Sequence, residues 1–137
     1  MSKLLLGLML IVAPVVAAAG GIPLVDATGA AKGTASLRLT SGLVQIKIKG
    51  LAPLPAAVAG SGGTFTATVY KAYLSSSADP GIEVFLTDIY PNGKQRAARR
   101  IALGGDVSHL GFDHIAVTAY SSNAQQSADV LSASFAP

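Results

Sequence analysis

Two-residue alternation between Ser36 and Lys49 constrains this chain more than any other feature. Leu37 and Leu39 fall on one face while Ser36, Arg38 and Thr40 take the other. Val44, Ile46 and Ile48 then alternate with Gln45, Lys47 and Lys49. A period of two is the period of a strand, because successive side chains leave the backbone on opposite sides. Thr40-Ser41-Gly42 between the runs is a tight turn, so the segment reads as an antiparallel hairpin with one wet face.

Similar punctuation runs through the rest of the chain. Residues 50–63 (GLAPLPAAVAGSGG) are Pro- and Gly-rich and read as a long connection crossing between two sheets. Residues 64–74 are rich in Thr, Val, Phe and Tyr, which suit a pleated surface. Their apolar phase changes from Phe65, Ala67 and Val69 to Tyr70, Ala72 and Leu74, and a bulge or bend near Val69-Tyr70 reconciles the halves.

Asp79-Pro80-Gly81 marks a turn, after which Ile82, Val84 and Leu86 alternate with Glu83, Phe85 and Thr87. Pro91-Asn92-Gly93 turns the chain back. Residues 94–103 contain helix formers, but a strand that is the hairpin partner of the preceding one fits the order of elements better. Residues 112–120 and 128–135 supply the last two strands. The fold class is therefore all-β: an antiparallel β-sandwich of about seven strands over residues 33–137.

The address comes from the other end. Lys3, an uncharged apolar run over residues 4–19 and the closing Ala17-Ala18-Ala19 make the pattern of an N-terminal hydrophobic signal helix, cleaved between Ala19 and Gly20. The chain is then secreted, periplasmic or extracellular. Its alternative is an uncleaved anchor facing outside, since Ile22 and Leu24 extend the run towards the ~20 residues that span a bilayer. Pro14 and Gly20-Gly21-Ile22-Pro23 interrupt such a helix. Membrane contact follows only if the segment stays uncleaved. Residues 20–32 have small side chains and no period, and read as a flexible leader or edge segment.

Composition narrows the chemistry. The chain has no cysteine, which excludes disulfides, thiol catalysis, cysteine-ligated metals and a lipoprotein attachment site. A net charge of +3 with only 12% charged residues is not the dense basic surface of a nucleic-acid binder, so no nucleic acid is expected as a partner. No serine lies in a Gly-x-Ser-x-Gly elbow, and Ser61 belongs to a flexible Gly-Ser-Gly-Gly stretch. One glutamate, Glu83, and scattered aspartates do not make a glycosidase pair. The Gly-rich loop lacks the Lys-Ser or Lys-Thr of a phosphate cradle. Neither an enzyme nor a cofactor is expected.

Three groups remain as candidate sites. His109 and His114, with Asp106 and Asp113, are the residue types that hold zinc or copper, but a separation of five puts the two histidines on opposite faces of a strand. Ordinary polar loop residues are the plainer reading. Lys94, Arg96 and Arg100 project from one strand face, with Arg99 on the other. They would form a contact patch for acidic polysaccharide, lipid headgroups or a partner protein, or simply a charged edge that discourages pairing. Tyr70, Tyr73, Tyr90 and Tyr120 would make a carbohydrate-stacking platform, or pack in the core with hydroxyls at the rim.

Gly50-Leu51-Ala52-Pro53-Leu54-Pro55, Val69-Tyr70-Lys71-Ala72-Tyr73-Leu74, Asn92-Gly93 and Ile115-Ala116-Val117-Thr118-Ala119-Tyr120 together resemble the extracytoplasmic domain of anti-sigma-K-type factors. That resemblance implies a β-sandwich outside the membrane over residues 33–135. It departs from the family at Tyr73, where a Trp is usual, and at Tyr120-Ser121-Ser122-Asn123, which replaces a Glu-Pro turn. Only Met1, Ser2 and Lys3 precede the hydrophobic run, so the cytosolic sigma-binding part is not expected here. The sequence thus points to an exported, non-enzymatic domain that binds a protein or an envelope component. Its alternative is a structural subunit of an extracellular fibre or surface layer, with residues 20–32 adding a strand to a neighbouring copy.

Overall fold

A computed structural model describes residues 21–121 and 125–136. The signal expected at residues 1–19 lies outside the described residues. Among the described residues no helix is long and apolar enough to cross a membrane. The chain forms β1 (Ile22–Val25), β2 (Ala31–Arg38), β3 (Leu43–Lys49), β4 (Ala56–Gly60), β5 (Gly63–Ala67), β6 (Val69–Ser75), β7 (Glu83–Ile89), β8 (Arg96–Ala102), β9 (His114–Ser121) and β10 (Gln126–Ser134). The fold is all-β and antiparallel.

Eight strands make one sheet in the order β7-β6-β9-β10-β1-β2-β3-β8, and the sheet curls until its edge strands β7 and β8 come close, nearly closing a barrel. Two separate sheets were the expectation; β1 is what joins them. It pairs along its length with β2 and meets β10 at Val25↔Ser132, stitching β7-β6-β9-β10 to β2-β3-β8. Apolar faces from both halves meet inside, with Ile22, Leu24, Val44 and Ile46 opposed by Tyr70, Leu74, Ile115, Val117 and Leu131.

The 36–49 alternation is realised as drawn: Leu37 pairs with Val44 and Ala35 with Ile46, all buried. Gly42 makes the turn at φ 71°, a conformation that L side chains rarely adopt. The phase change at residues 64–74 is a break between two strands. Thr68 separates β5 from β6, donating its N–H to the Tyr120 carbonyl (2.9 Å), so Phe65 and Ala67 face inward before it and Tyr70, Ala72 and Leu74 after it.

Three further expectations need correction. Of the expected leader or edge at residues 20–32, the described part, residues 21–32, is neither, because Ile22 and Leu24 are buried and β1 is an interior strand. Alternating small and branched residues over only four positions give too short a pattern to stand out in the sequence. Residues 50–63 are not all connection: β4 and β5 pair from Ala56↔Ala67 to Gly60↔Gly63, a hairpin whose Ala-rich strand carries little strand signal. Within residues 94–103 the strand is β8, Arg96–Ala102, and it pairs with β3 from Leu43↔Ala102 to Lys49↔Arg96 rather than with β7. The loop 90–95 carries the chain across the barrel mouth, where the Gln95 carbonyl accepts from Gly50 N (2.9 Å) and ties β8 to the end of β3.

Candidate functional site

Two outward faces carry the polar chemistry. On the first, the β2–β3–β8 ladders place Thr34 beside Lys47 and Ala98, Ser36 beside Gln45 and Arg100, and Lys49 beside Arg96. The next step of the β2–β3 register brings Lys32 alongside Lys49, and a Cβ on Gly50 would lie 2.7 Å from the Lys32 Cδ. Lys32, Arg38, Lys47, Lys49, Arg96 and Arg100 therefore share the wet face of three adjacent strands, and no acidic residue occupies an outward position among them. The neighbouring carboxylate, Asp26 in the β1–β2 turn, is engaged locally: it accepts from Thr28 N (2.9 Å), Thr28 Oγ1 (2.6 Å) and Ala30 N (3.1 Å). Those hydrogen bonds, the Thr28 hydroxyl first, hold its carboxyl below the usual range.

Of the sequence candidates, Arg96 and Arg100 stand on this face and Arg99, opposite Ile46, on the other. Lys94 lies before the strand, in a turn where the Asn92 side-chain oxygen accepts from Lys94 N (2.9 Å) and Arg96 N (3.0 Å). Lys32, Lys47 and Lys49 were missed as partners of Arg96. The outward phase of Lys47 and Lys49 was legible, but that of Lys32, in a segment without a period, was not, and neither was the pairing of β3 with β8.

The second face is the outside of β7-β6-β9-β10. Lys71, Tyr73, Glu83, Thr118, Tyr120, Ser127 and Asp129 line a half-open cavity of about 320 Å³. Register builds it: Lys71 faces Thr118 on one side and Asp88 on the other, Tyr73 faces Phe85, and Tyr120 faces Ser127. The Lys71 ammonium sits 5.3 Å from the Tyr120 ring centroid and 5.6 Å from that of Phe85. Tyr73 and Phe85 meet edge to face at 5.7 Å. Thr118 Oγ1 donates to Asp129 Oδ1 at 2.8 Å. A register shift between Ala72 and Tyr73 lets β7 keep Phe85 outward, 47% exposed, while Leu86, Thr87 and Ile89 turn inward.

Tyr73 and Tyr120 both border the cavity, but they stand two same-face rungs apart in the β6–β9 ladder with Lys71 and Thr118 between them, so they do not form one continuous platform. Tyr70 does not border it: it is buried, its hydroxyl donates to the Ala52 carbonyl (2.8 Å), and burial raises its pKa. Tyr90 is 61% exposed, at the end of β7 and away from the cavity. Phe85 was missed as a member of this group, because its outward phase was legible but the register shift that sets it against Tyr73 has no sequence signature.

The histidine group is dispersed among local partners. His109 lies in a single 3-10 turn, Ser108–Leu110, and His114 opens β9 with Nδ1 3.3 Å from Ser134 Oγ. Asp106 accepts from Ser108 N (2.8 Å) and Oγ (2.6 Å), and Asp113 from Ser77 N (2.9 Å) and from the Ser77 hydroxyl. The serine hydroxyls are the main cause holding both carboxyls below the usual range. Among the described residues no three His, Cys, Asp or Glu side chains are grouped to hold a metal ion. No family model matches the chain, and no curated protein or solved structure matches it either.

Proposed function

We propose that this chain is a non-enzymatic binding domain that works outside the cytosol and holds an acidic polysaccharide of the cell envelope along the outward face of β2, β3 and β8. The observation that carries the reading is the row Lys32–Lys49–Arg96, three cations on neighbouring strands about 5 Å apart at the backbone. Like charges directly opposite each other destabilise a sheet, and a bound polyanion offsets that cost. Thr34, Ser36 and Gln45 between the cations supply hydrogen bonds suited to sugar hydroxyls. An array spread over three strands suits an extended polymer better than a compact ligand. The apolar run at residues 4–19 and the resemblance to anti-sigma-K-type extracytoplasmic domains support the location, which favours an envelope polymer over nucleic acid.

Gel retardation by polygalacturonate, with dextran as the neutral control, tests it. Retardation by the acidic polymer should fade as salt rises, because exposed charges are screened within about 10 Å at 0.1 M. Equal retardation by both polymers, or stronger binding to duplex DNA, would overturn it.

One feature favours the second reading, strand exchange between copies in a fibre. β1 meets β10 at a single pair, so its place in the sheet rests mainly on β2. Negative-stain images showing only short particles at high concentration would remove that reading.

A further inference from the structure

We infer that the cavity on the outside of β6, β9 and β10 is a binding site for a neutral sugar ring, distinct from the cationic face. Its chemistry is specific. All seven lining residues carry a polar side-chain atom, which disfavours a lipid or other apolar occupant. Tyr73 and Tyr120 supply an aromatic ring at either end of the cavity, two same-face rungs apart in the β6–β9 ladder, and an aromatic ring attracts the C–H-rich face of a pyranose through its negative π-cloud. Around them stand acceptors for hydroxyl protons in Glu83 and Asp129, and donors in the Lys71 ammonium and the Ser127 hydroxyl. A volume of about 320 Å³ lies at the small end of the ~300–1,000 Å³ of ligand sites. It has room for a short stretch of a glycan.

The site is preorganised. Lys71 is held between Tyr120 and Phe85, Tyr73 is braced by the edge contact with Phe85, and Asp129 is oriented by Thr118. Ordering these side chains in advance lowers the entropy lost when a ligand arrives. Among the described residues Lys71 forms no ion pair, although Asp88 stands opposite it in the ladder, so its donors remain available to hydroxyl or ring oxygens.

Titration of the isotope-labelled full chain with maltohexaose, cellohexaose, mannohexaose and chitohexaose, followed by amide shifts, tests the assignment. At least one glycan should shift the amides of Lys71, Tyr73, Thr118 and Asp129 with little sensitivity to salt. Tyr73→Ala should weaken that binding about tenfold. Tyr73→Phe, which keeps the ring, should retain most of it, and Arg96→Glu on the cationic face should leave it unchanged. If none of the four glycans moves these amides, or if Tyr73→Ala binds as tightly as the parent while folded, the assignment fails. Loss of polygalacturonate binding with the shifts intact would strike only the cationic-face reading.

Discussion

Lys49 and Arg96 stand directly opposite each other in the β3–β8 ladder, two cations on the wet face of a sheet. Sheets ordinarily place opposite charges, or a charge and a neutral group, at such positions. Arg96→Glu should turn this repulsion into an attraction and raise folding stability by about 0.2–1 kcal/mol. The same change should weaken polygalacturonate binding. Urea denaturation and gel retardation on one variant read both effects, and a variant that loses stability and binding together would argue for a purely structural role of Arg96.

β1 is a core strand, and its removal should be felt as such. Leu24 is fully buried between the two halves, so Leu24→Ala should cost about 2–5 kcal/mol. Deleting residues 20–32 should abolish cooperative unfolding altogether. A deletion variant that melts like the parent would restore the leader reading of this segment.

Gly42 turns the β2–β3 hairpin at φ 71°, and an added Cβ would collide with the Gly105 carbonyl. Gly42→Ala therefore meets both an unfavourable backbone conformation and a backbone neighbour with no flexible end to move. A loss above ~1 kcal/mol is expected by thermal denaturation, from the conformation alone.

Acid should loosen the chain below the usual carboxylate range. Asp26, Asp106 and Asp113 all have depressed pKa values in the folded state, chiefly from neighbouring hydroxyls. A group of this kind stabilises above its unfolded pKa, and the contribution is lost as pH falls through the lower, folded one. Asp113 is the one to test, since it ties the turn at Ser77 to the start of β9. Melting temperature against pH should fall in acid for the parent and less steeply for Asp113→Asn. Parallel curves would show that the Ser77 contact carries no linkage.

Much of the strand inventory was legible because alternation is a local property. Residues 36–49 and the phase break in 64–74 carry side chains that report their own face, whereas β10 shifts register between Asp129 and Leu131 and does not. Tyr70 shows where such reading stops. Its phase marks it as inward, but whether its hydroxyl reaches a partner depended on Ala52, eighteen residues earlier in a loop. Phe85 is the converse case: its outward phase was clear, while the register shift that sets it against Tyr73 left no trace in composition.

The sequence by itself determined an antiparallel, strand-built chain with one wet face, since its clearest runs, such as residues 36–49, carry their own period of two. Which strands became neighbours was decided only in the folded molecule. β8 joined β3 instead of β7, and β1 closed the gap between β10 and β2, because burying both apolar faces depends on contacts between residues far apart in sequence. The cationic row and the tyrosine-lined cavity both arise from that choice of neighbours: each is assembled by ladder register from strands whose separate sequences show only isolated polar side chains.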